Sequence, residues 1–315
     1  MDPQQFVYFF SALLSLGAAL LMALVLFDRL APMTAARAGI ALERLRSGLR
    51  LRQAGVPGFA MPYLEGGKGE TLVLLHGFAG DKDNFTRIAR FLTPHYRVIA
   101  PDLPGFGDAG RDPQAGYGIA EQAERLRALL DQIAPGRVHL GGNSMGGFIA
   151  AQFAAAYPER VASLWLLDAA GTEASHSSEV LKRYEASGDM PLLVREEQEY
   201  GALVDACTQE RPFLPHSVLT ALGRRAVADF PLHTAIMQQV AASPLLQPQP
   251  QYAALPALVV WGEQDGILHP SGAAAFGQLF PRSRVVMMPG VGHLPMVEEP
   301  RRTAQDYLEF RRGSA

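Results

Sequence analysis

Three hydropathy regimes follow one another along the chain. Positions 6–27 hold no charged residue and little polarity beyond Ser11 and Ser15, a run of about 22 where a membrane-crossing helix needs roughly 20. Next, Ala38, Leu42, Leu45 and Leu49 recur at helical spacing, with Arg37, Arg44, Arg46, Arg50 and Arg52 largely on other faces, which predicts a basic amphipathic helix. From Leu64 onward, short β-branched runs alternate with helical ones. Strands are expected at 71–75, 97–100, 137–140, 161–167, 257–261 and 284–288, and helices at stretches such as 119–133 and 273–279. Such alternation predicts an α/β fold with a mostly parallel sheet and helices on both faces. An insertion at about 171–251 separates the strand ending at Leu167 from the next, its helical patterning broken at Pro191, Pro212, Pro215 and Pro231. The expected division is an anchor at 1–28, a juxtamembrane helix and linker at 29–63, a first core segment at 64–170, a helical cap or lid at 171–252 and a second core segment at 253–315.

Chemistry gathers where these strands end. Gly141-Gly142-Asn143-Ser144-Met145-Gly146-Gly147 lies between an apolar strand pattern and a helical one, so Ser144 sits at the apex of a sharp turn. Glycines at 142 and 146 suit that turn, because a side chain at either place would clash where the hydroxyl is exposed; the pattern is G-x-S-x-G, the nucleophile elbow. Downstream, Leu258-Val259-Val260-Trp261-Gly262-Glu263-Gln264-Asp265 runs from strand into polar turn and offers two carboxylates, Asp265 and Glu263. Met288-Pro289-Gly290-Val291-Gly292-His293-Leu294-Pro295 offers His293 after another strand. Asp168, after 161–167, is a further acid. Serine, acid and histidine stand in that chain order, which the nucleophile-elbow fold requires. A serine hydroxyl is a weak nucleophile at neutral pH, so a histidine must take its proton and a carboxylate must fix the imidazole tautomer. The oxyanion formed by attack needs preorganised donors, of which the N–H of Met145, just after the serine, is one.

With these parts, residues from Leu64 to the C-terminus resemble the α/β-hydrolase superfamily. The resemblance favours Asp265 over Glu263, since strand-Gly-x-x-Asp is the usual acid loop, and over Asp168. It makes Leu74-Leu75-His76-Gly77-Phe78-Ala79-Gly80 the oxyanion loop, with Phe78 giving the second N–H and His76 bracing the loop. It makes Pro101-Asp102-Leu103-Pro104-Gly105-Phe106-Gly107 a turn held by Asp102. With the apolar N-terminus included, the chain closely resembles single-pass inner-membrane phospholipases A of Gram-negative bacteria and the monoacylglycerol-lipase-like branch. That resemblance implies a lipid ester hydrolase that cleaves glycerophospholipid, lysophospholipid or monoacylglycerol and releases fatty acid. Many apolar side chains in the insertion, among them Met190, Leu192, Leu203, Val204, Phe213, Leu214, Val218 and Ile236, could wall an acyl tunnel; most must simply pack on the core.

Composition narrows this picture slightly. The formal net charge of −3 over 315 residues gives no reason to propose a nucleic-acid partner. A single cysteine, Cys207, excludes an intramolecular disulfide. His95, His139, His176, His216, His233 and His269 are scattered without metal-ligand spacing, so neither metal nor organic cofactor is expected. A cleaved signal peptide would want a basic start and a shorter apolar run. Arginines crowd the C-terminal flank of that run, which by the positive-inside rule favours a cytoplasmic domain; the resemblance implies a periplasmic one, and is followed. Gly17, Ala18 and Ala19 would let two anchors approach closely, so a homodimer is an allowed arrangement. Two alternatives stay open: a C–C bond hydrolase, whose relatives share G-N-S-M-G-G but commonly carry an aromatic residue where this chain has Leu294, and a non-catalytic ligand receptor or scaffold.

Overall fold

A computed structural model describes residues 2–313. Helix α1 (Pro3–Leu30) starts where the Asp2 carboxylate accepts the Gln4 N–H and Pro3 occupies the first turn, and none of its residues is buried. It is long and apolar enough to cross a membrane, with a mean hydropathy of 2.4. Helix α2 (Pro32–Arg46) follows after a one-residue break. The next segment is a hairpin, β1 (Leu49–Val56) and β2 (Phe59–Gly66), turned at Gly58 with φ of 81°.

This hairpin corrects the expectation of a linker through residue 63 and of an amphipathic helix reaching Leu49, Arg50 and Arg52. Leu49-Arg50-Leu51-Arg52 alternates with period two, and Pro57-Gly58 closes a turn. The apparent helical repeat ran into a strand repeat, and only the partner strand separates the two.

The rest alternates as expected: β3 (Thr71–Leu75), α3 (Thr86–Leu92), β4 (Arg97–Pro101), α4 (Ile119–Ile133), β5 (Val138–Asn143), α5 (Met145–Ala156) and β6 (Val161–Leu167). The insertion supplies α6 (Glu179–Ser187), α7 (Glu199–Cys207) and α8 (His216–Ala241). Then come β7 (Ala257–Gly262), α9 (Gly272–Leu279), β8 (Ser283–Met288), α10 (Pro295–Glu298) and α11 (Pro300–Gly313). Pro231 does not break the insertion as expected; it stands inside the continuous α8. One proline costs a helix a hydrogen bond and some strain, which a 26-residue helix packed on its neighbours absorbs.

Among the described residues, eight strands form one sheet in the order β1-β2-β4-β3-β5-β6-β7-β8, antiparallel from β1 to β4 and parallel across the remainder. Alternate residues of each central strand serve opposite faces. Val73, Ile99, Leu140, Leu166 and Val259 join a core with α4, α5 and the insertion, whereas Leu72, Val98, Trp165, Leu258 and Val260 join one with α3 and α11. The central parallel strands β3, β6 and β7 therefore read as nearly continuous apolar runs, because neither of their faces meets water, whereas the edge strand β8 is partly exposed.

Candidate active site

The turn from β5 to α5 holds Ser144 at φ 55° and ψ −121°, a left-handed conformation that a non-glycine residue adopts only when its surroundings enforce it. Here the Ser144 N–H donates to the Leu167 carbonyl at 3.0 Å, and the Ser144 carbonyl accepts from Gly147, Phe148 and Ala170. A Cβ at Gly142 would lie 2.2 Å from the Gly146 carbonyl oxygen, and one at Gly146 would lie 2.2 Å from that of Leu75. Both glycines are thus sterically compelled, as the turn pattern predicts.

The loop after β3 abuts this turn, since a Cβ on Gly77 would fall 3.0 Å from that of Ser144. Among the described residues, the N–H groups of Phe78 and Met145 have no hydrogen-bond acceptor. His76 is fully buried; its Nε2 accepts the Leu103 N–H at 3.0 Å, so its Nδ1 carries the proton and donates to the Gly77 carbonyl at 2.8 Å. Burial keeps this ring neutral by lowering its pKa. Asp102 accepts from the backbone N–H groups of Lys82 and Asp108 at 2.8 and 2.7 Å and from the Lys82 ammonium at 2.8 Å. These two residues brace the loop, and neither reaches the serine's cavity.

His293 and Asp265 meet at the ends of β8 and β7. The imidazole Nδ1 lies 2.9 Å from Asp265 Oδ2, and both side chains are buried. An ionised carboxylate can only accept, so Nδ1 carries the hydrogen and Nε2 is left as the basic nitrogen. The other Asp265 oxygen accepts the N–H groups of Ile267 and Leu268 at 2.8 and 3.0 Å. Glu263 is exposed on the same turn and does not bond to the imidazole.

Two holders of this constellation are not singled out by spacing alone. Asn143 Nδ2 donates to the carbonyls of His293 and Leu167, at 3.0 and 3.2 Å, and so ties the serine turn to the histidine loop; its one signal is the Asn immediately before the serine. Glu298 accepts the N–H groups of Gly292 and Gln209 at 3.0 and 2.8 Å, tying the histidine loop to the end of α7. The His293 N–H also donates to the Cys207 carbonyl at 2.9 Å. Burial pushes the Cys207 thiol up to about 12, so it stays protonated and is no rival nucleophile.

Ser144 and His293 open onto a cavity of about 650 Å³. Of the apolar insertion residues, Leu192, Leu203, Val204, Phe213, Leu214 and Val218 line it, while Met190, Leu193, Val194, Ile236 and Met237 are buried in the core. Its far wall is α2, through Gly39, Ile40, Leu42 and Glu43. That helix docks on the domain: Arg44 makes a paired bond to Asp83 at 2.7 and 2.6 Å, and Ser47 Oγ donates to the Thr86 carbonyl.

This fold and this arrangement at the strand ends define a hydrolase of the nucleophile-elbow type. The chain belongs to the alpha/beta hydrolase fold family, whose model matches residues 70–210 and 213–300. It is 37% identical over 279 residues to Lipase 1 of Psychrobacter immobilis, covering 86% of this chain and 87% of that one. It is 26% identical to the monoacylglycerol lipase ABHD6 of Rattus norvegicus over 76% of this chain and 74% of that protein. A solved membrane phospholipase A, described as a bacterial virulence factor, superposes with a TM-score of 0.85 at 39% identity, covering 98% of each chain. The protein is thus a lipase- or phospholipase-like α/β hydrolase.

Proposed function

We propose that the chain is a membrane-anchored phospholipase A with lysophospholipase and esterase activity, working through Ser144, His293 and Asp265. The observation that carries this reading is the cavity itself, which joins Ser144 to Ile40 and Leu42 on the helix that immediately follows the apolar α1. An acyl chain gains by leaving water for such a wall, and a lipid entering beside the anchor need never cross bulk solvent. Similarity to a membrane phospholipase A over nearly the whole chain supports the same reading.

This reading gives each residue a step. His293 Nε2 takes the Ser144 proton as the oxygen attacks the ester carbonyl, while Asp265 stabilises the imidazolium through Nδ1–H. The tetrahedral oxyanion is received by the N–H groups of Phe78 and Met145. Collapse expels the lysolipid alkoxide, which takes its proton from His293, and leaves an acyl ester on Ser144. Water, deprotonated by the same imidazole, then releases fatty acid and restores the serine.

The expected partners are membrane lipids, with the domain on the periplasmic face of a bacterial inner membrane and anchors able to pair. Protease added to intact spheroplasts should digest the domain; protection until lysis would place it in the cytoplasm. For the chemistry, hydrolysis of p-nitrophenyl butyrate and fluorophosphonate labelling should both vanish in Ser144→Ala, with a loss of at least about 10⁴-fold in rate. Turnover retained by that variant would sink the mechanism, and an inert unaltered chain would move the C–C hydrolase and receptor readings forward.

A further inference from the structure

Asp168 is a buried carboxyl that the steps above do not use. It follows β6 at a strained φ of 43° and is wholly inaccessible. Its Oδ1 accepts the Gly262 N–H at 2.8 Å, whereas its Oδ2 has no hydrogen-bond partner among the described residues. Asp168, Asp265 and His293 each place one ligand-type atom within 4.8 Å of the other two. Two carboxyl groups this close and this dry do not both ionise; one keeps a proton.

The donors around them decide which one. Asp265 receives the N–H groups of Ile267 and Leu268 and the Nδ1–H of His293, and every such donor favours the ionised form. Asp168 receives only the Gly262 N–H. The proton therefore belongs on Asp168, where it turns the partnerless Oδ2 from an unsatisfied acceptor into a donor.

We propose that Asp168 is a positioning residue for the triad: as a neutral carboxylic acid it donates from Oδ2 to the Asp265 carboxylate, fixing that group's orientation and moderating the charge it presents to His293. The proposal rests on the triad reading above. Burial, and after it the charge of Asp265, hold the Asp168 carboxyl well above the usual carboxylate range. The other groups facing the pair are His293 on the β8 loop, Glu298 on α10, whose charge opposes a second ionisation, and the neutral Cys207 thiol at the end of α7. A donor on Asp265 draws on that carboxylate's charge and so weakens its pull on the imidazolium of His293.

The test compares pH–rate profiles for p-nitrophenyl butyrate in the detergent-solubilised full chain, Asp168→Asn, Asp168→Ala and Asp265→Asn. In parallel, NMR of ¹³Cε1-labelled histidine follows the His293 ring titration. Asn keeps an acceptor for Gly262 and a donor for Asp265, so its kcat should stay within about twofold and its acid limb should not move. Ala removes the donor: the acid limb and the ring titration should both rise by about one pH unit, with kcat down roughly tenfold. If Ala does not fold, Asp168→Leu, similar in size and without a donor, takes its place. An unchanged acid limb and ring titration in the donor-free variant, with only thermal stability altered, would overturn the proposal. So would loss of activity in Asp168→Asn equal to that in Asp265→Asn. Should the unaltered chain hydrolyse no ester, the proposed function fails separately, and the ring titration still decides the role of Asp168.

Discussion

The backbone at Ser144 is strained, and the strain persists because no softer neighbour exists. With Gly146 packed against the Leu75 and His76 carbonyls, Gly146→Ala would have to push the first turn of α5 away from the end of β3. It should cost at least about 3 kcal/mol, read as a lowered midpoint in urea unfolding; a variant as stable as the unaltered chain would contradict the packing. Asp168 makes a different prediction. Its folded pKa is raised, so its favourable contribution is complete below about pH 4 and is lost as pH rises toward the folded value. Asp168→Asn should therefore match the unaltered chain's Tm near pH 4 and exceed it increasingly toward pH 8, and a pH-independent difference would contradict this. At this scale the sequence is eloquent wherever chemistry demands a residue type at a fixed offset, as with Gly142, Ser144, Gly146, Asp265 and His293. It says little of Asn143 beyond its place before the serine and is silent about Glu298, whose hydrogen bonds reach across 150 residues for Asn143 to His293 and 89 for Glu298 to Gln209. It is equally silent about which of two acids holds a proton, since that depends on donors brought together only by folding.

Elements show the same division. The central parallel strands announce themselves as apolar runs, and the helices at 119–133 and 273–279 as amphipathic ones, so the doubly covered sheet was legible. The β1–β2 hairpin was not, because its first strand continues the arginine-leucine rhythm of α2 and its outer edge is largely solvent-exposed. Nor was the ionic knot beside the loop after β3. Lys82 is 1% exposed and binds Asp102 at 2.8 Å and Asp108 at 2.7 Å. Desolvation works against its charge, yet the surrounding aspartates hold the ammonium above its ordinary pKa. Arg225 of α8 reaches Asp81 and Asp108, and Arg44 of α2 reaches Asp83, so this knot joins insertion, α2 and the loop after β3. Removing the central cation by Lys82→Ala leaves Asp102 buried and unpaired, and should cost about 3–5 kcal/mol in chemical denaturation. A loss below about 1 kcal/mol would mean that the carboxylates had found water instead.

The whole molecule places a largely apolar cavity between Ser144 and the helix that continues from its apolar N-terminus. Val218 lines that cavity from α8. Val218→Trp should narrow it, leaving butyrate esters within about twofold while slowing long acyl esters roughly tenfold or more; equal effects on both would mean that the acyl chain lies elsewhere. Neither the route of the cavity nor the contribution of α2 to its wall could be read from spacing, because both arise where the insertion folds over the sheet. The most direct test is mass-spectrometric analysis of products from the detergent-purified protein and its Ser144→Ala variant, incubated with a defined diacyl phosphatidylglycerol or phosphatidylethanolamine. Equimolar fatty acid and lysophospholipid from the unaltered chain, and neither from the serine variant, is the predicted result. An intact diacyl lipid alongside serine-dependent cleavage of monoacyl or short-chain esters would contradict phospholipase A activity and leave an esterase.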